Sequence, residues 1–159
     1  MERVPMTARG FQQLETELRH LRHEERPAII QAISDARDLG DLSENAEYHA
    51  AKERQAYVEG RILELEDKIA RSEVIDISKL KGDVIRFGAT VTLEDDHSGD
   101  VATYQIVGEH ESDISACRLS IASPLARALI SKTVNDTIEL STPRGTKSYT
   151  ILQVQYIDA

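Results

Sequence analysis

Apolar residues step by threes and fours through the first half of this chain: Phe11, Leu14, Leu18 and Leu21, then Ala51, Val58, Ile62, Leu65 and Ile69. That spacing is the seam of a helix packed on another helix. Read in reverse order, Leu14 with Ile69, Leu18 with Leu65 and Leu21 with Ile62 each sum to 83, so the pattern predicts an antiparallel hairpin folding between Asp41 and Leu42. Thr7 can cap the first helix, and Gly40 suits the left-handed position beyond its end. The first helix is expected to reach about Leu39 and the second to run from about Leu42 or Ser43 to about Glu73. Roughly thirty residues per arm give a length of about 45 Å. The register is imperfect. Glu25 falls on a seam position, and the apolar stepping then moves to Ile29, Ile33 and Ala36. Pro27 lies in the same arm. It removes one helical hydrogen bond and is expected to bend the helix, with a fresh helix starting at Pro27 as the alternative.

From about residue 75 the apolar period changes to two. Residues 74–77 read as a short strand or linker. Strands are expected at 89–93, 103–107, 118–121, 137–140 and 149–156, and one short helix at 124–131 with Ser123 as N-cap and Pro124 at its first position. The expected fold class is α+β: a two-helix antiparallel coiled-coil hairpin over residues 1–76, then a small domain over 80–159 with a mostly antiparallel sheet.

Charge changes this picture more than composition does. The net charge of the 159-residue chain is −9. It is spread over both halves: 12 basic against 17 acidic residues in 1–79, and 7 against 11 in 80–159. Neither half has the basic surface that autonomous nucleic-acid binding requires, so contact with a strand is expected to be local or held by a larger partner. No apolar run is long enough to span a bilayer and no leader peptide is expected, while a single cysteine, which cannot form an internal disulfide, fits a reducing cytoplasm. The single cysteine, Cys117, reads as a half-buried structural thiol. The acidic run Glu94, Asp95 and Asp96 reads as a solvated loop.

The candidate chemistry sits at the turn of the hairpin. Asp41 and Glu44 lie three residues apart at a helix start, a spacing that puts both carboxylates within reach of one hydrated ion. The same spacing serves helix capping, with Asp41 as N-cap and Glu44 as its partner, and the two roles are compatible. Arg37, Lys52 and Arg54 near the turn suit contact with RNA or an acidic protein centre, or else surface ion pairs such as Arg37 with Asp41 and Lys52 with Asp38. Asn45 could donate to a carboxylate or to RNA, while Tyr48 is expected to pack on Ala36. His20 and His23 share a helix face without a third metal ligand in sight.

The turn reads GDLSENAEYHAAKE over residues 40–53. Together with Pro5-Met6-Thr7, Arg26-Pro27, SPLARALI over residues 123–130 and Thr142-Pro143, it resembles the Gre family of bacterial transcript-cleavage factors, the GreA type more than the GreB type. The resemblance covers essentially the whole chain. It implies an FKBP-like second domain that docks on RNA polymerase, with Ser123 and Pro124 as docking candidates. It also implies a hairpin that enters the polymerase secondary channel and stimulates magnesium-dependent cleavage of backtracked RNA at its extruded 3′ end. In that role Asp41 would help hold a second magnesium ion and Glu44 would orient or deprotonate the attacking water. The factor would act as a monomer, bind no magnesium alone and have no nuclease activity of its own. The alternative is a channel-blocking inhibitor without cleavage activity. A chaperone and a prolyl isomerase are weaker readings: the turn is polar apart from Leu42, and the chain has no Trp to line a proline pocket.

Overall fold

The computed structural model describes residues 2–41 and 45–157. The chain divides into two compact units, one comprising Met1–Glu2 with Phe11–Ser72 and the other Arg3–Gly10 with Glu73–Ala159. The first strand thus groups with the second unit, which differs from a cut between residues 76 and 80.

The first unit is a helical hairpin. Helix α1 covers Ala8–His20, α2 covers Arg26–Arg37 and α3 covers Ala46–Arg71. Thr7 caps α1 as expected, its hydroxyl accepting from the Gly10 N–H at 3.0 Å. Between α1 and α2, Leu21–Glu25 form a π-helical turn in which the Arg26 N–H reaches back to the Leu21 carbonyl. Backbone angles stay helical through His20, Glu25 and Arg26, so the arm continues through Pro27. The wider turn eases a specific problem: proline lacks an N–H, and its ring would crowd the carbonyl four residues earlier. Leu14, Leu18, Leu21, Ile29, Ile33 and Ala36 are buried on the first arm, and Val58, Ile62 and Leu65 on the second.

Among the described residues, four ion pairs flank this seam: Glu17 with Arg61, Arg22 with Glu66, Glu25 with Arg54 and Arg26 with Glu59. Their residue numbers add to values on either side of 83, in keeping with the mirror register. Two are bidentate, Arg61 to Glu17 at 2.7 and 2.9 Å and Arg26 to Glu59 at 2.8 and 2.8 Å. These guanidinium hydrogen bonds hold the Glu17 and Glu59 carboxyls below the usual carboxylate range.

In the second unit, β1 (Val4–Thr7) pairs with β2 (Ser72–Ile75). The main sheet contains β3 (Thr90–Asp95), β4 (Val101–Val107), β5 (Arg118–Ser120), β6 (Thr137–Thr142) and β7 (Gly145–Gln155) in the order β5-β4-β3-β7-β6. All its pairings are antiparallel except β4 with β5. Helix α4 (Pro124–Leu129) contributes Ala126 and Leu129 to a core shared with Ile85, Val91, Leu93, Ile106, Ile138 and Ile151. This is the α+β arrangement that the change of period predicts.

Three further points differ from the sequence reading. Strand β1 has no counterpart among the expected elements, because four residues that pair with a segment nearly seventy positions away carry no local signature. Cys117 is exposed, in a left-handed turn at φ 59° that carries its side chain away from the core. The acidic run is not simply solvated. Glu94 and Asp95 belong to β3, and Asp96 accepts hydrogen bonds from the Ser148 and Thr150 hydroxyls at 2.6 Å each. Those hydroxyls lower its pKa, as the His97 and Ser98 amides lower that of Asp95.

A carboxylate hub lies within the second unit, which includes Arg3–Gly10. Glu111 accepts from the Thr7 N–H at 2.9 Å, the Gly108 N–H at 3.1 Å and the Thr7 hydroxyl. A Cβ at Gly10 would overlap the Glu111 carboxyl, so glycine is what lets the acid approach.

Candidate functional site: the turn of the hairpin

Helix α2 ends at Arg37, and the chain turns through Asp38, Leu39 and Gly40. Gly40 has φ 118°, a backbone state that favours glycine and that closes the helix as expected. Asp41 follows and is exposed. Glu44, the second candidate acid, lies outside the described residues.

Helix α3 begins at Ala46, and the expected start at Leu42 or Ser43 lies outside the described residues. Its N-cap is Asn45 rather than Asp41. The Asn45 Oδ1 accepts from the Tyr48 N–H at 3.0 Å, and its Nδ2 donates to the Ala36 carbonyl on α2. One half-buried side chain therefore caps one arm and fastens it to the other. Asn45 thus caps α3, while the pairing of Asp41 with Glu44 as a capping box falls on a residue outside the described ones. A polar residue just before a helical run is a recognisable cap signal. Its second bond, across the hairpin, has no sequence signature.

The basic candidates separate. Arg37 and Lys52 line one groove of about 280 Å³ together with Ile30, Ile33, Ser34, Asp38 and Gln55. The Lys52 Nζ donates to the Gln55 Oε1 at 3.2 Å, not to Asp38. Arg54 does not line this groove: it pairs with Glu25 at 3.2 Å and lies over the Tyr57 ring at 5.2 Å. Tyr48 is half-buried and meets the His49 ring edge-on. In the second unit the Ser123 hydroxyl accepts from the Ala126 N–H at 3.2 Å and donates to the Ser120 carbonyl at 2.8 Å. Its polar capacity is spent starting α4, while the neighbouring Pro124 is exposed. Among the described residues, no group of three or more His, Cys, Asp or Glu side chains could hold a metal ion, and His20 instead contacts Glu24 and Glu25. No helix among them is long and apolar enough to cross a membrane.

Residues 4–74 match the model of the N-terminal domain of transcription elongation factors, and residues 80–156 match that of the GreA/GreB C-terminal domain. The chain belongs to the GreA/GreB family of transcription elongation factors. Its similarity to GreA proteins runs along nearly the whole chain. Transcription elongation factor GreA of Phenylobacterium zucineum is 57% identical over 157 residues, spanning 99% of this chain and 100% of that one. GreA of Rickettsia canadensis is 59% identical over 154 residues, spanning 97% and 95%. Among solved structures, GreA factor homolog 1 (Gfh1) of Thermus thermophilus is 28% identical, covers 97% of this chain and 99% of that one, and superposes with a TM-score of 0.44. As a GreA/GreB family member the chain is a transcription elongation factor, and the acid Asp41 stands beyond the end of the first arm of its hairpin.

Proposed function

We propose that this factor acts on RNA polymerase, delivering Asp41 and Glu44 through the secondary channel to stimulate hydrolysis of backtracked RNA. The observation that carries the reading is the position of Asp41: exposed, directly after the Gly40 turn, and outside both seams that build the hairpin. The carboxylate lies off the buried stripe of the hairpin, on the exposed surface of the turn. Asp41 offers a hard oxygen ligand suited to magnesium, but one or two carboxylates make only part of a coordination shell. The rest of the shell belongs to the polymerase, whose bound ion supplies charge neutralisation for the attacking and leaving oxygens. Glu44 orients or deprotonates the water that attacks the phosphodiester. Arg37 and Lys52 hold the extruded 3′ segment of RNA in their shared groove, with Arg54 and Asn45 outside that contact. The second unit docks the factor, and the protein works as a cytoplasmic monomer with no nuclease activity of its own.

A stalled, backtracked elongation complex tests the proposal. Added factor should release short RNAs containing the 3′ end, and the same factor with RNA and magnesium but no polymerase should release none. Slowed synthesis without released RNA would replace the proposal with a channel-blocking inhibitor, and cleavage without polymerase would refute the division of labour.

A further inference from the structure

The two arms of the hairpin do not carry the same pattern. On α3 the seam alternates steps of four and three from Ala51 through Gln55, Val58, Ile62 and Leu65 to Ile69 without a break. On the first arm Leu14, Leu18 and Leu21 set the same alternation, which continued would lead through Glu25 to Ala28, Ala32 and Asp35. Those last three are exposed. The buried residues are Ile29, Ile33 and Ala36, each one position later. The first arm therefore carries one residue more than its partner, inserted between Leu21 and Ile29.

The π-helical turn accounts for that residue. In it the Arg26 N–H bonds to Leu21, five residues back instead of four. Each residue of an α-helix turns the chain by about 100°. Without a wide turn, the extra residue would rotate α2 by that angle and bring Asp35 onto the seam in place of Ala36, burying a charge. With it, Ile29 and Ile33 stay on the buried stripe. Ala36 also stays there, and its carbonyl is the acceptor of the Asn45 clamp that closes the turn.

We propose that the π-helical turn Leu21–Glu25 is a register element that sets the rotational phase of α2 and so positions the loop bearing Asp41. It absorbs one residue of the first arm, which lets Ala36 face Asn45 at the far end of α2. Its relevance to RNA cleavage rests on the function proposed above; its role in the register does not. The turn is a positioning element and touches no reacting atom.

Two length variants of the full chain test this, in a Cys117→Ser background that also carries either Ala32→Cys or Ile33→Cys as a thiol reporter. In one, an alanine is inserted after His23. In the other, His23 is deleted, alone and together with Pro27→Ala to remove the ring from the tightened turn. The readouts are the rate of maleimide labelling, the saturating rate of RNA cleavage in a backtracked complex, and the factor concentration giving half that rate. In the parent and the deletion variants, the Ala32→Cys thiol should label at least about tenfold faster than the Ile33→Cys thiol, because a buried thiol reacts only on local opening. The insertion should reverse that order. It should also lower the saturating cleavage rate by up to about 100-fold, the order expected for displacement of about 1 Å at a reacting centre, with a much smaller change in half-saturating concentration. The proposal is overturned if the insertion leaves the Ile33→Cys thiol the slower of the two, if both deletion variants expose that thiol, or if the insertion reverses labelling yet cleaves at the parental rate. Lack of RNA products from the parent would overturn the cleavage reading instead, and the labelling order would still decide the register.

Discussion

Replacing Asn45 with alanine removes two bonds from one side chain. The first is the cap on α3, accepted from the Tyr48 N–H at 3.0 Å. Loss of an N-cap of this type costs about 1 kcal/mol. The second is the donation to the Ala36 carbonyl, which also accepts from the Leu39 N–H at 3.1 Å, so its loss removes a bond across the hairpin without leaving that carbonyl unpaired. A half-buried hydrogen bond of this kind contributes about 1 kcal/mol net. The expected loss for Asn45→Ala is therefore about 2 kcal/mol, or a fall of about 10 °C in the melting of a unit this size. Asn45→Asp separates the two bonds. Aspartate caps as well as asparagine but has no donor for Ala36, so it should lose about half as much. Urea and thermal unfolding followed by helical circular dichroism measure both variants, since most of the helix lies in the hairpin. An Asn45→Ala variant within about 0.5 kcal/mol of the wild type would refute the clamp. So would an Asn45→Asp variant as damaged as the alanine one, because then the cap would contribute nothing.

The glycines of the two units should respond oppositely to a methyl group. Gly10→Ala pushes on the Glu111 carboxyl and releases its amide donors, lowering stability by about 3 kcal/mol for two bonds to a charged acceptor; adding Glu111→Ala should make Gly10→Ala cause no further loss, and additive losses in urea unfolding would contradict the hub. Gly60, inside α3 with open space around it, should instead stabilise by about 1 kcal/mol as alanine. The hairpin should also lose stability in acid. The Glu17, Glu59 and Glu64 carboxyls titrate below the ordinary glutamate value of 4.5 in the folded protein, caused first by hydrogen bonds from Arg61, Arg26 and Lys68 respectively. Because these pKa values are depressed on folding, their contribution is complete above about pH 4.5 and lost as the pH falls through the folded values. Urea midpoints that stay level or rise from neutral pH down to about pH 3 would contradict this sign.

Much of this architecture can be read from residue order because its determinants are periodic. The Leu14, Leu18, Leu21 seam and its mirror at Ile62, Leu65 and Ile69 specify both helices and their antiparallel pairing without reference to anything distant. The Ser123-Pro124 start of α4 is equally local. The features that periodicity misses are those that join remote segments. Strand β1 has no meaning without β2, and the hydrogen bonds of Thr7 with Glu111 span 104 positions. The seam shift after Leu21 is visible in the sequence as an irregularity, but its cause is a backbone hydrogen bond of unusual span, which side-chain periodicity reports only as a slip. At the turn, Asp41 and Glu44 stand out in the sequence and the surroundings of Asp41 do not. The cap falls on Asn45 because that side chain can satisfy both arms at once, an advantage that exists only after the arms have met.

The central claim is that two acids from the turn of the hairpin act inside another enzyme. Asp41→Ala and Glu44→Ala factors, titrated against backtracked elongation complexes with binding and RNA release measured in parallel, test it most directly. The account predicts near-normal binding by both and loss of RNA release by both. Full release from either variant would contradict it, as would loss of release that merely follows loss of binding.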